Sequence, residues 1–221
     1  MATKPIQRLL PNQRILRYTY KERIMHWVAG LSYIYLLLTG LAFYTPHLYW
    51  IALVLGGGSI SRLWHAIIGL VFSAAVVWMY VDWGSDMKTT EVDLAWRKTI
   101  RQYIRNEDEL VAPACRFNSG QKSFFWIMFW GGLALLLSGV ALWFTEYIPW
   151  SLRFLRYVAV LVHVIAALFT IGAFIIHVYM GAAVVREGFS SVIRGEVSEQ
   201  WAKTHHPLWL RQVQRDSRAD N

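Results

Sequence analysis

Four long apolar segments constrain this chain more than any other feature of its sequence. They run from Trp27 to Tyr44, from Leu63 to Val81, from Ser123 to Thr145 and from Tyr157 to Val185, and each has at least 18 residues without Lys, Arg, Asp or Glu. About 20 residues of α-helix cross a hydrocarbon core of about 30 Å. The sequence therefore predicts an integral membrane protein.

The apolar segments also define the predicted fold, which is an all-α integral membrane four-helix bundle. We expect a single domain over residues 1–221, with a short amphipathic helix from Val92 to Tyr103 in the middle loop and a C-terminal tail at 187–221. The predicted membrane helices lie at about 24–45, 62–82, 121–145 and 156–186.

The composition agrees with the membrane class. Only 16% of the residues are charged, whereas a soluble domain has about 25%. The single cysteine, Cys115, excludes a disulfide scaffold and an iron–sulfur cluster bound by cysteines of this chain. The net charge of +8 comes from basic blocks between the apolar segments, a pattern typical of membrane topology, so we expect no nucleic-acid partner.

The distribution of basic residues predicts the orientation. The two tails and the middle loop contain 19 Lys and Arg residues, and the other two loops contain 3. The positive-inside rule places the basic side in the cytoplasm, so both termini are predicted to be cytoplasmic. The expected location is the bacterial inner membrane, crossed four times and surrounded by lipid.

Four histidines lie in or at the mouth of the predicted spans, where ionisable side chains are costly and usually functional. The topology places His65 and His163 near the outer face, and His26 and His177 near the cytoplasmic face. His163 and His177 are 14 residues apart, which is about 21 Å and nearly four turns of one helix. They therefore project from nearly the same helix face at two depths.

This arrangement favours two b-type haems, each held by a pair of imidazoles. The predicted iron ligands are His65 and His163 for the outer haem, and His26 and His177 for the inner haem. Two other interpretations stay open. In the first, the histidines form a proton relay in a proton-coupled transporter. In the second, they only pack in a haem-free membrane anchor.

Two groups of polar residues outside the spans receive simpler interpretations. The acidic run Glu107-Asp108-Glu109 is interpreted as a solvated loop in preference to a proton-feeding group. His205 and His206 are interpreted as surface or partner contacts in preference to metal ligands.

The chain resembles the cytochrome b (gamma) subunit of respiratory, membrane-bound formate dehydrogenases. The resemblance covers most of the chain after about residue 13, and four motifs carry it: ERIMHW at 22–27, SRLWH at 61–65, FNSGQK at 117–122 and WAKTHHP at 201–207. The His-Trp pair at 26–27 and the two histidines of the fourth span, His163 and His177, also occur in the cytochrome b subunits of nickel–iron hydrogenases. The motifs at 117–122 and 201–207 are more discriminating.

The resemblance implies a function for the chain. It implies two haem b groups and a quinone, menaquinone or ubiquinone, that is reduced near the cytoplasmic face at Asn118, Gly120, Gln121 and His177. The chain would then be an electron-transfer and quinone-reducing subunit that does not itself oxidise formate. From the residues alone, Asn118 and Gln121 are also a helix N-cap and a first-turn residue.

The resemblance further implies an iron–sulfur beta subunit and a molybdenum- or tungsten-pterin alpha subunit as partners, and it leaves open a higher oligomer of the complex. The nearest alternative is the same cytochrome in a nickel–iron hydrogenase or a thiosulfate reductase.

Overall fold

The computed structural model describes residues 8–219, and in that range the chain forms ten α-helices and three short strands. The strands are β1 (Leu9–Leu10), β2 (Arg14–Leu16) and β3 (Glu196–Ser198). The helices are α1 (Tyr20–Tyr44), α2 (Tyr49–Val54), α3 (Gly58–Trp83), α4 (Glu91–Lys98), α5 (Ile100–Ile104), α6 (Ser119–Trp143), α7 (Phe154–Tyr179), α8 (Gly188–Arg194), α9 (Glu199–His205) and α10 (Pro207–Ala219).

The four predicted membrane helices are confirmed as α1, α3, α6 and α7. Each is long and apolar enough to cross a membrane. All four begin two to four residues before the predicted start. In α1, α3 and α6 the first turn is rich in polar residues or glycine, so hydropathy does not mark where the helix begins. The α-helix of α7 ends at Tyr179 and continues as a π-helical turn over Met180–Val184, so the predicted end at 186 is too late.

The chain forms two compact units, which we call the bundle unit and the peripheral unit. The bundle unit consists of residues 25–82 and 127–174. Its core contains the rings of Tyr33, Phe72 and Phe174, and the Tyr33 hydroxyl donates to Thr170 Oγ1 at 3.0 Å. Small residues allow the helices this close approach, since a Cβ at Gly131 would meet the Thr170 methyl group.

The peripheral unit consists of residues 8–24, 83–126 and 175–219, which are the two tails and the middle loop. Its three-stranded antiparallel sheet pairs Ile15 of β2 with Leu9 of β1 and with Val197 of β3. Below the sheet, Trp201 and Trp209 join Ile15 in one apolar core. The two tails and the middle loop therefore pack together in one unit. The strands were not predicted because two or three residues are too short to show a period-2 pattern.

A buried cation connects the three segments of the peripheral unit. Arg17 is 1% exposed, and its guanidinium lies over the rings of Trp201 and Trp209 at 4.7 and 5.1 Å. It donates to the Arg116 carbonyl at 2.9 Å and to His206 Nε2 at 3.2 Å. Because arginine can only donate, His206 Nε2 accepts, and its Nδ1–H donates to the Cys115 carbonyl at 2.6 Å. His206 is therefore a neutral, buried connector and not the surface contact expected from the sequence.

The predicted middle-loop helix at 92–103 is present as two helices, α4 and α5, with a break at Thr99. The Thr99 hydroxyl donates to the Trp96 carbonyl and accepts from Ala112 N, so the side chain competes with the helical backbone bonds. Asp93 of α4 forms a buried ion pair with Lys122 of α6 at 2.7 Å. This pair holds the middle loop against the start of α6.

The docking of the tail is expected to weaken in acid. Burial, and next the charge of Arg17, hold the pKa of His206 well below its ordinary value. An undocked tail therefore takes up a proton below about pH 6.5, whereas the docked tail does not, so the stability present at neutral pH is lost as the pH falls. Amide exchange in α9 and α10, corrected for intrinsic rates, should be up to about tenfold faster at pH 5.5 than at pH 7.5. His206→Asn should show less protection and a smaller pH dependence; an unchanged pH dependence in this variant would contradict the assignment.

Candidate haem-binding site

The bundle unit brings the rings of two predicted iron ligands close to each other. His65 of α3 and His163 of α7 have ring centroids 6.3 Å apart, with ring planes inclined by 55°. Two axial imidazoles on one iron place their centroids about 6 Å apart, since each side adds a metal–nitrogen bond of about 2.0 Å and about 1.1 Å within the ring. The observed separation fits this requirement.

Each of these histidines is oriented by a hydroxyl group from another helix. Thr39 Oγ1 of α1 is 2.7 Å from His65 Nδ1, and Ser138 Oγ of α6 is 2.9 Å from His163 Nδ1. The hydroxyl protons are directed to carbonyl oxygens one turn earlier, which are Tyr35 O for Thr39 and Ala134 O for Ser138.

The hydroxyl geometry decides the tautomer of both rings. Because each hydroxyl donates its proton to its own helix, its oxygen accepts from the imidazole Nδ1–H. The Nε2 atoms of His65 and His163 then carry the free lone pairs, and neutral imidazole with a free lone pair is the iron-binding form. Hydrogen bonding of the other ring nitrogen also fixes the ring orientation and raises its basicity.

Glycines leave space beside both rings. A Cβ at Gly40 would lie 3.7 Å from His65 Cε1, and a Cβ at Gly139 would lie 3.4 Å from His163 Cε1. Each glycine directly follows the residue that supplies the hydroxyl, so Thr39-Gly40 on α1 and Ser138-Gly139 on α6 form matching pairs. Sequence reasoning missed Thr39 and Ser138, although the repeated hydroxyl–glycine dipeptide in two spans was the available signal.

The donor set fits iron in a porphyrin better than a bare metal ion. Among residues 8–219, no group of three or more His, Cys, Asp or Glu side chains is placed to hold a metal. A pair of imidazoles supplies only the two axial ligands of an iron, and a porphyrin supplies the other four. The residues at the His65–His163 pair therefore fit a haem.

The other two predicted ligands, His26 and His177, belong to different units. His26 of α1 is half-buried in the bundle unit, with its ring edge-on to Trp27 at 5.7 Å. His177 of α7 is half-buried in the peripheral unit and stacks on Phe124, with ring centroids 4.1 Å apart and planes inclined by 2°. This parallel stacking fixes the orientation of the His177 ring. His47 is exposed in the short helical turn Pro46–Leu48.

The predicted quinone residues Asn118 and Gln121 form a reciprocal cap at the start of α6. Asn118 Oδ1 accepts from Gln121 N at 2.9 Å, and Gln121 Oε1 accepts from Asn118 N at 3.0 Å. Space beside Gly120 is tight, since a Cβ would lie 3.3 Å from Asn118 Oδ1 and 3.5 Å from the Trp96 ring. The helix-cap interpretation of Asn118 and Gln121 is therefore confirmed.

The cap uses only part of the Asn118 side chain. Its Nδ2 group is 3.5 Å from the Tyr103 hydroxyl of α5, and the residue is buried. Capping uses the oxygen and Nδ2 donates one proton to the Tyr103 hydroxyl, so the second amide proton is left as a donor for another acceptor. The capping role and a binding role are thus compatible at this residue.

Comparison with known proteins identifies the family. The model of the prokaryotic cytochrome b561 family matches residues 17–194, which include all four spans. The chain belongs to this family. As a prokaryotic cytochrome b561, it binds haem b and takes part in electron transport.

The cytochrome has curated relatives that match along nearly its whole length. It is 33% identical to the formate dehydrogenase cytochrome b556(fdo) subunit of Escherichia coli K12 over 202 residues, which cover 91% of this chain and 94% of the relative. It is 30% identical to the nitrate-inducible formate dehydrogenase cytochrome b556(Fdn) subunit of the same strain over 207 residues, covering 92% and 94%. The formate dehydrogenase cytochrome b556 subunit of Haemophilus influenzae is 29% identical over 202 residues, covering 90% and 83%.

Removing either hydroxyl should weaken haem retention by the cytochrome. We expect Thr39→Val and Ser138→Ala to lower haem affinity by about 10–100-fold, because the second hydrogen bond of a ligating imidazole is lost. We also expect a higher midpoint potential, because a less basic imidazole stabilises ferric iron less. Haem per chain after dilution in detergent, and a redox titration of the visible spectrum, measure the two effects.

The matched control for these variants is Ser32→Ala. The Ser32 hydroxyl also donates to a carbonyl of its own helix, Val28 O. Ser32→Ala should keep the haem content and potential of the wild type. Equal behaviour of all three variants would contradict a positioning role for Thr39 and Ser138.

Proposed function

We propose that this cytochrome is the dihaem cytochrome b subunit of a formate dehydrogenase complex. The observation that carries the proposal is the His65–His163 pair, whose rings are 6.3 Å apart and are both oriented through Nδ1. The names of the curated relatives, which match along at least 90% of this chain, support formate dehydrogenase as the complex.

The proposed haem ligands are those expected from the sequence. His65 and His163 hold the outer haem, and His26 and His177 hold the inner haem. The second pairing rests on the depth of each residue along its span, since His177 follows His163 by 14 residues on α7, which is about 21 Å. When bound, the two haems supply reversible one-electron carriers that connect an iron–sulfur partner outside the membrane with a quinone inside.

The proposed quinone site consists of Asn118, Gly120, Gln121 and His177. A quinone oxygen gains negative charge on reduction, and amide donors placed beside it stabilise that charge. The Asn118 Nδ2 group is such a donor, because the cap at α6 uses the Asn118 oxygen and the Tyr103 hydroxyl takes only one of the two amide protons. The substrate is menaquinone or ubiquinone, and the side of reduction is the side that carries the peripheral unit.

The proposed partners supply the chemistry that this chain lacks. An iron–sulfur beta subunit delivers electrons at the outer face, and a molybdenum- or tungsten-pterin alpha subunit oxidises formate. The chain itself does not oxidise formate. The excess of basic residues supports a cytoplasmic location for the peripheral unit. The proposed location of the protein is the bacterial inner membrane.

The haem count tests the ligand assignment. His65→Ala should remove one of two haem equivalents per chain, because the second imidazole of its pair cannot hold the group alone. His47→Ala is the control, since His47 is exposed in the first outer loop and should not affect the haem content. A pyridine haemochromogen assay of the purified subunit measures both, and unchanged haem in His65→Ala would contradict the outer pair.

Substitution of Asn118 separates its capping role from its quinone role. Asn118→Ser keeps a capping oxygen but removes the amide donor. We expect unchanged folding and haem content, with quinone reduction slowed by about 10–150-fold, because a single donor to developing charge contributes about 1.5–3 kcal/mol. The measurement is the rate of haem reoxidation by quinone in the intact complex. A wild-type rate in Asn118→Ser would contradict a quinone-binding role for Asn118 and would support the helix cap as its only role.

A further inference from the structure

A cavity of about 280 Å³ in the peripheral unit is lined by residues of both the middle loop and the C-terminal tail. It is lined by Asn106, Asp108, Val184, Arg186 and His205. Asp108 belongs to the acidic run of the middle loop, and His205 belongs to the C-terminal tail. The cavity therefore places a carboxylate and an imidazole, the two commonest proton-transfer groups in proteins, side by side.

The structure distinguishes Asp108 from its acidic neighbours. Glu107 and Glu109 are exposed, whereas Asp108 is half-buried, and its Oδ1 is 3.8 Å from His205 Nδ1. The His205 side chain is only 11% exposed, and its ring packs against Trp201 at 5.2 Å. Glu107 and Glu109 therefore fit a solvated loop, whereas Asp108 is partly buried beside His205.

The turn that follows α5 relates Asp108 to the Asn118 side chain through Tyr103. The loop after α5 folds back, since Asn106 N donates to Tyr103 O at 3.2 Å and Glu107 N donates to Gln102 O at 3.0 Å. At the end of α5, the Tyr103 hydroxyl is 3.5 Å from Asn118 Nδ2. Burial raises the pKa of Tyr103, and the nearby Asp108 charge raises it as well, so the hydroxyl keeps its proton at neutral pH.

Five further charged or titratable groups face the Asp108–His205 pair. They are Arg17 from the N-terminal segment, Arg186 and Glu187 after α7, Tyr103 of α5, and His206 next to His205. Burial lowers the pKa of His205, Asp108 and Glu187 raise it, and Arg17 lowers it, with a net decrease. The His205 imidazole and the Asp108 carboxyl group lie 3.8 Å apart, and both are groups that can take up and release a proton.

We propose that Asp108 and His205 form a proton-uptake site, which supplies the quinone bound beside Asn118 through the hydroxyl of Tyr103. The proposal rests on the proposed quinone reduction. Conversion of a quinone to a quinol takes two electrons and two protons, and the electrons come from the haem b of this chain. Each proton forms an O–H bond on a quinone oxygen, Tyr103 regains a proton from the Asp108–His205 pair, and the pair regains one from water on its side of the membrane.

Three substitutions in the intact complex test this route. Asp108→Asn and His205→Gln remove the proton-uptake groups, and Tyr103→Phe removes the hydroxyl while keeping the ring that packs on Trp96 at 4.9 Å. Glu109→Gln is the matched control, because it neutralises an exposed carboxylate next to Asp108. Haem content and the reduced haem spectrum should be those of the wild type in all four variants, which checks folding independently of turnover.

The decisive readout is the reoxidation of haem that has been reduced chemically with dithionite. After mixing with 2-methyl-1,4-naphthoquinone, the three route variants should be reoxidised about tenfold or more slowly than the wild type at pH 8, with a smaller difference at pH 6, where protons from water are more abundant. They should also show a larger solvent deuterium isotope effect. Glu109→Gln should match the wild type at every pH.

The outcomes separate this proposal from the proposed function. If quinone does not reoxidise the wild-type haem, quinone reduction and the proton route are both overturned. If the wild type is reoxidised and any of the three route variants behaves like Glu109→Gln across the pH range, the route is overturned and quinone reduction stands.

Discussion

The structure depends on one constraint, which is that a polar ring inside a membrane needs a partner for each of its nitrogens. His65 and His163 satisfy one nitrogen each with a hydroxyl from a neighbouring helix, at 2.7 and 2.9 Å. Because Thr39 and Ser138 give their own protons to helix carbonyls, both rings direct a lone pair through Nε2. In the proposed function, ligation of iron satisfies that lone pair without a charge in the hydrocarbon core. The hydroxyls, and the glycines that follow them, would then turn a costly arrangement into a haem site.

In the peripheral unit, a second buried interaction holds the two tails and the middle loop together. Arg17 does this by burying a cation between Trp201 and Trp209 while donating to His206 and to the middle loop. The buried network fixes the segment that leads to Asn118. In the proposed function this rigidity matters, because a donor stabilises the charge on a reduced quinone only if it is already in position.

The membrane spans and the depths of the histidines could be predicted from the sequence, whereas the strand pairing and individual side-chain contacts could not. Membrane length fixes the four spans, and helix periodicity together with topology places His65 and His163 at one depth, where the structure brings their rings together. The strand partners of Ile15 were beyond prediction, because Val197 is distant in sequence and the strands are two or three residues long. Asp108 and Glu109 look alike in sequence, and only the fold shows that one of them faces His205.

The most direct test of the account is a density map of the intact complex that resolves the iron ligands. The account predicts one iron between the Nε2 atoms of His65 and His163, with both Nδ1 atoms bonded to Thr39 and Ser138, and a second iron between His26 and His177. Iron bound through Nδ1, iron bound by any other side chain, or a single haem per chain would contradict it.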